Sequence, residues 1–118
     1  MSNIEENKSI LITFTPEFKR EYKRLSKKFA SLDKDMQALI AKLQREPTNG
    51  TSLGNNAYKI RLAINSKNKG KSGGARIITY FFNADNELYL LSIYDKSEQP
   101  IIADMHLKKL INNILESK

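Results

Sequence analysis

Residues 58–82 read YKIRLAINSKNKGKSGGARIITYFF. The fold turns on whether the middle of this stretch, KNKGKSGGAR at 67–76, joins a strand to a helix or a strand to a strand. A phosphate loop of the pattern G-x-x-x-x-G-K-[ST] needs a glycine five residues before Gly70, and that position holds Asn65. Such a loop must also open a helix, so that the helix N-terminus faces the phosphate. Upstream, however, Tyr58, Ile60, Leu62 and Ile64 alternate with Lys59, Arg61 and Ala63. That period of two predicts a strand at 58–64 with one apolar face and one cationic face. Downstream, ARIITYFF at 75–82 is a second strand. The lysine–glycine segment is therefore a hairpin connection and cannot aim a helix dipole at a nucleotide.

Working outward, a turn at 83–86 leads to a third strand, ELYLLSIY at 87–94. This strand and the one at 75–82 are apolar on both faces, which places them centrally in a sheet. Before the hairpin, SILITF at 9–14 suits a short strand, and a polar loop precedes Tyr58. Thr15 followed by Pro16 is a helix start, with a capping hydroxyl and then a residue that needs no amide partner. Phe18, Tyr22, Leu25 and Phe29 give that helix a buried stripe, and Lys19, Arg20, Lys23, Arg24 and Lys27 a solvated one. Ser31 or Asp33 caps a second helix with the stripe Met36, Leu39, Ile40 and Leu43, which Pro47 ends. The tight connection makes these two helices an antiparallel hairpin. After Pro100, Asp104 caps a last helix with Leu107, Leu110, Ile111, Ile114 and Leu115 inward. The expected fold is α+β, in the order β-α-α-β-β-β-α, with two N-terminal helices packed on a small antiparallel sheet. Residues 1–118 are expected to form one domain with a mobile polar tail at 1–8.

Composition narrows the chemistry. The chain has 118 residues, 40% of them hydrophobic, enough for a small core. There is no cysteine and a single histidine, His106. Disulfides, thiolate chemistry and Cys/His metal sites are excluded, and no cofactor or metal is expected. Asp33, Asp35 and Glu46 have no metal-ligand spacing. The first residues carry no apolar run after a basic start, and no stretch is long and apolar enough to span a membrane. A cytoplasmic protein without a membrane partner is expected. The net charge is +7 and the pI about 9.6, which suggests a polyanionic partner. Between Pro47 and Ala84 there is no acid, while Lys59, Arg61, Lys67, Lys69, Lys71, Arg76 and all five glycines fall there.

Lys59 and Arg61 stand two apart on one strand and leave by the same face. Arg76 falls on the neighbouring strand within reach of it, and Lys96 follows the end of the third strand. A sheet face with several cations and no carboxylate fits phosphate, and Tyr94 or Tyr80 could stack on a base. About five such contacts to a single strand would make log K fall with log salt at roughly −3.5. RNA cleavage by its own 2′-hydroxyl needs a base, a positive clamp and an acid. The lone His106, next to Leu107 on the last helix, reads as a surface or boundary residue. Arg61 and Arg76 cannot give up protons at ordinary pH and are clamps rather than bases. The aromatic run Tyr80, Phe81 and Phe82 reads as core.

These residues carry a family resemblance. YKIRLAI at 58–64, SKNKGKSGGARIITY at 66–80 and LYLLSIYDKSE at 88–98 resemble the RelE/ParE toxin superfamily, in particular its RelE-like and HigB-like mRNA interferases. The resemblance runs from about Thr15 to the last helix, and the family's fold agrees with the order above. It implies a toxin of a type II toxin–antitoxin system, a metal-independent endoribonuclease that enters the ribosomal A site and cuts translated mRNA by 2′-hydroxyl attack. The implied partners are ribosome, mRNA and a cognate antitoxin. In RelE the working residues are two strand cations, which match Lys59 and Arg61, and an arginine opening the next strand, which matches Arg76. A basic residue after the last strand falls near Lys96. RelE also stacks a later tyrosine on mRNA. There is no tyrosine in 97–118, so that role is absent or falls to Tyr94. The longer loop adds Lys67, Lys69 and Lys71 as RNA-binding candidates. Alternatives are a ParE-like gyrase poison without nuclease chemistry and a non-catalytic basic RNA-binding module.

Overall fold

A computed structural model describes residues 9–67 and 74–117. The expected tail and the loop residues Lys69 and Lys71 lie outside the described residues, and of Lys67 only the backbone is described. The order is β1 (Leu11–Phe14), α1 (Pro16–Lys28), α2 (Leu32–Arg45), β2 (Thr51–Gly54), β3 (Ala57–Leu62), β4 (Ala75–Phe82), β5 (Glu87–Asp95) and α3 (Asp104–Glu116). The strands form one sheet in the order β1-β5-β4-β3-β2. As the two-faced apolar pattern of β4 and β5 requires, both are central.

Two features extend the expected sheet. β1 lies parallel to β5, with Leu11 opposite Glu87 and Phe14 opposite Leu90, so the sheet is mixed rather than wholly antiparallel. The loop before Tyr58 contains a further strand, β2, which closes on β3 through the two-residue turn Asn55–Asn56. Both asparagines have positive φ, +53° and +65°, the left-handed pair that a type I′ hairpin demands.

The sheet is covered on both faces. On one, Phe18, Leu25 and Phe29, with Leu32, Met36, Leu39 and Leu43, pack on Ile60, Leu62, Ile77, Phe81, Leu88, Leu90 and Ile93. On the other, Leu110, Ile111 and Ile114 of α3 cover Ile78, Tyr80, Tyr89, Leu91 and Tyr94. Leu107 is partly buried there, while Leu115, expected inward, is 45% exposed because it lies past the end of that stripe.

Helix ends follow local chemistry. Thr15 caps α1, its hydroxyl accepting the Phe18 N–H at 3.3 Å, with Pro16 in the first turn. Ser31 is the N-cap of α2 but its hydroxyl is turned to Asp35, 2.8 Å away, instead of a helix amide. Ala103, not Asp104, is the N-cap of α3, and Asp104 is displaced into the first turn, where its charge suits the helix dipole. His106 Nε2 lies 2.8 Å from Glu17 Oε2, close enough for an ion pair when protonated, although that oxygen accepts no aligned hydrogen bond. His106 is thus a boundary residue joining α3 to α1.

Candidate nucleic-acid interface

Register brings the predicted cations together. In the antiparallel ladder Arg61 stands opposite Arg76, and Arg76 opposite Tyr94, so these three form one row across β3, β4 and β5. The next row is Lys59, Ile78 and Ser92. On the other side the Lys96 N–H donates to Gly74 O at 3.0 Å, which carries the ladder one residue past β5. Directly paired residues share a face, so Lys59, Arg61, Arg76, Tyr94 and Lys96 all project on the α3 side of the sheet. No carboxylate stands in these rows.

That outcome depends on a bulge. Ile78 pairs with Ser92 but Thr79 pairs with Leu90, leaving Leu91 as an extra residue. Because side chains alternate strictly along a strand, one extra residue reverses the parity of everything beyond it. Without it, Ile93 and not Tyr94 would stand beside Arg76. Two α1 residues hold the bulge. The Thr15 hydroxyl donates to Leu90 O at 3.0 Å and reaches Leu91 O at 3.3 Å. Glu21 Oε1 accepts from the Ser92 hydroxyl at 2.9 Å and from the Ile93 N–H at 3.1 Å. β1 pairs only with the first part of β5, through Leu90, and Glu21 supplies the acceptor that a longer edge strand would have given Ile93. Burial pushes the Glu21 carboxyl above its ordinary range, against the two donors.

The turn that carries Lys96 is fixed as well. Buried Asp95 accepts from the Ser97 N–H at 3.0 Å, the Ser97 hydroxyl at 2.8 Å and Lys28 Nζ at 3.3 Å. Glu98 pairs with Arg24 at 2.9 Å and Lys28 at 2.8 Å, and these two cations hold its carboxyl below the usual range. Of the α1 cations expected to be solvated, Arg24 is engaged, and with Lys28 it tethers the end of β5 and the turn after it to the helix.

The five residues differ in exposure. Arg61 is exposed, Lys59 and Lys96 are half-buried, and Arg76 is 4% exposed, with Nη1 donating to Ala75 O at 3.2 Å. A guanidinium held this deeply offers its planar donors from a fixed position, the geometry required of an anion clamp. Tyr80 and Tyr94 are 5% and 3% exposed beneath α3, so neither ring is open to stack on a base. The expectation of stacking fails because these strands are central and covered. Instead the Tyr94 hydroxyl is enclosed without a hydrogen-bond partner among the described residues. Burial pushes its pKa up while Arg76 pulls it down, so it keeps its proton and is a donor.

Gly74 accounts for the close approach of β3 and β4 at this point. A Cβ there would lie 2.0 Å from Leu62 O. Gly74 is needed because two backbones nearly touch.

No protein-family profile matches the chain. Among solved structures it is similar to the toxin RelE of E. coli in the free state, an arginine-to-alanine double mutant, with a TM-score of 0.55. The fold is RelE-like. Identity with that structure is 14%, and the match covers 79% of this chain and 90% of that one. At that identity the RelE likeness speaks for architecture, and the assignment of side-chain roles rests on the rows described above. Among the described residues no helix of this RelE-like fold is long and apolar enough to cross a membrane. The sequence missed the bulge at Leu91 and its two anchors. The signal it offered was faint: Thr15 and Glu21 look like ordinary first-turn and surface residues of α1.

Proposed function

We propose that the protein is the toxin of a type II toxin–antitoxin pair and acts as a ribosome-dependent endoribonuclease of the HigB-like kind in the cytoplasm. The observation that carries this reading is the row Arg61–Arg76–Tyr94, flanked by Lys59 and Lys96 in neighbouring rows that hold no carboxylate, on a RelE-like fold. In the reaction the 2′-hydroxyl of a nucleotide in translated mRNA loses its proton to solvent as its oxygen attacks the adjacent phosphorus. The bond to the 5′-oxygen of the next nucleotide breaks, that oxygen taking a proton from solvent. The products are a 2′,3′-cyclic phosphate and a 5′-hydroxyl. Arg76, immobile at the centre of the row, and Arg61, exposed at its edge, clamp the charge that grows on the phosphorane oxygens. The neutral Tyr94 phenol donates a hydrogen bond from behind Arg76. Lys59 and Lys96 flank the phosphate, and the loop residues Lys67, Lys69 and Lys71 are further RNA-binding candidates. Ribosome, mRNA and a cognate antitoxin are the partners of this activity.

The test is controlled expression in a bacterial host with mapping of mRNA 5′ ends and of DNA breaks. In-frame cuts confined to translated messages, lost in Arg76→Ala, are expected. Gyrase-dependent DNA breaks with intact mRNA would overturn the reading, and so would unchanged cleavage by folded Arg76→Ala.

A further inference from the structure

Beside the cationic row the sheet edge turns into a groove of about 500 Å³ between α2 and β3. β2 pairs with Ala57, Tyr58 and Lys59 only, so the outer edge of β3 beyond Lys59 faces α2. Lys34, Ala38 and Lys42 form one wall, four residues apart each time and hence on one side of the helix. Arg61, rooted on the α3 side but exposed at that edge of β3, lines the opposite wall at the rim where the two faces meet, and Asn49 and Asn65 are also in the lining. The single acid, Asp35, is 6% exposed and turned to other work. It accepts from the Asn65 N–H at 3.1 Å, Asn65 Nδ2 at 2.7 Å and the Ser31 hydroxyl at 2.8 Å.

We infer that this groove is a second RNA-backbone site, taking the strand that leaves the Arg61–Arg76 row and holding its phosphates between Lys34, Lys42 and Arg61. This inference rests on the proposed function, because Arg61 is shared between the row and the groove. The lining favours phosphate over a peptide. Leu39, Ile60 and Leu62 are each less than a tenth exposed, so no large apolar side chain opens into the groove as a peptide anchor, and its charged groups are Lys34, Lys42 and Arg61 besides the engaged Asp35. A helical partner finds apolar walls elsewhere, between α1 and α2, where Phe14, Tyr22, Met36 and Ile40 line a separate groove of about 750 Å³. Lys34 and Lys42 stand about 12 Å apart along α2, from eight residues at 1.5 Å each, a separation that one phosphate cannot bridge. The groove therefore takes a length of strand and not a lone anion.

The experiment measures binding of a labelled single-stranded RNA, 2′-O-methylated throughout so that it cannot be cleaved, to the full chain across a range of potassium chloride. Lys34→Ala/Lys42→Ala is compared with Lys108→Ala/Lys109→Ala, which removes the same charge from exposed positions on α3. Two lost phosphate contacts should make the log K against log salt slope shallower by about 1.4 in the first variant. The α3 variant should keep the original slope. Equal slopes in the two variants would overturn the proposal, as would an unchanged slope in both. So would displacement of the RNA from unaltered protein by a glutamate-rich peptide that loses its effect in Lys34→Ala/Lys42→Ala, with the RNA slope of that variant unchanged. The readout is binding without cleavage, so loss of the nuclease reading in the expression test leaves this result separately interpretable.

Discussion

At the scale of single residues, Gly74 and Arg76 make a pair with opposite failures. A methyl group at Gly74 meets Leu62 O at 2.0 Å, a backbone atom that cannot swing aside. Gly74→Ala must push β4 away from β3, and overpacking of this kind costs about 1–3 kcal/mol. We expect a lower urea midpoint together with weaker RNA binding, because the displaced strand carries Arg76. Arg76→Lys, by contrast, should leave the fold intact and, on the proposed function, lower the cleavage rate by about 10²-fold, since a point charge would replace a planar fork at the phosphate. Cleavage at an undiminished rate by a folded Arg76→Lys would remove Arg76 from the clamp. The same residue explains what could be read beforehand. Lys59 and Arg61 share a face by strand period alone, and Arg76 follows from closing the hairpin. Its burial did not follow, because burial depends on tertiary packing that strand period does not report.

At the scale of elements, β5 is the strand on which the site depends, and α1 is what shapes it. Thr15 serves twice, as the cap of α1 and as the donor to the bulge carbonyls of Leu90 and Leu91. Thr15→Ala loses both roles and should cost about 1–2 kcal/mol. Glu21 gives a pH signature. Its folded-state pKa is raised above the ordinary 4.5, chiefly by burial. The folded protein then holds that proton more tightly than the unfolded chain. The associated stability is present below pH 4.5 and is lost as pH rises through the folded value. Glu21→Gln keeps an acceptor and cannot ionise. Its stability relative to the unaltered chain should therefore increase between pH 4 and pH 7 in urea titrations; a decrease over that window would remove burial as the dominant cause. These elements also mark where sequence reading stopped. The helical stripes and the strands β3, β4 and β5 were legible because period and burial coincide. β2 was not, because Thr51–Gly54 has one apolar residue, Leu53, and it lies at the shift in register. The asparagine pair that makes its turn was in plain view, but it signals a hairpin only when strands flank it. The parity of Tyr94 was legible only by chance, since a bulge leaves no periodic trace in a strand apolar on both faces.

At the scale of the whole molecule, α3 is the least replaceable layer. Leu110, Ile111 and Ile114 cover the sheet face that holds Tyr80 and Tyr94. Burial of three such side chains contributes about 5–9 kcal/mol, comparable with the entire stability of a small domain. A chain ended after Ala103 should therefore fail to reach the native state, which loss of dispersed amide resonances and increased light scattering would report. A stable, dispersed truncated chain would remove α3 from the core. The parallel pairing of β1 with β5 has a consequence in time. Leu11 waits for Glu87 to be made before it can pair. At roughly 5–20 residues per second, synthesis of the intervening chain takes about 4–15 s. During that interval α1 and α2 are made while β5 is not, so Thr15 and Glu21 have no bulge to grip. The row Arg61–Arg76–Tyr94 can close only once β5 has been made, long after β1 and α1, which anchor it.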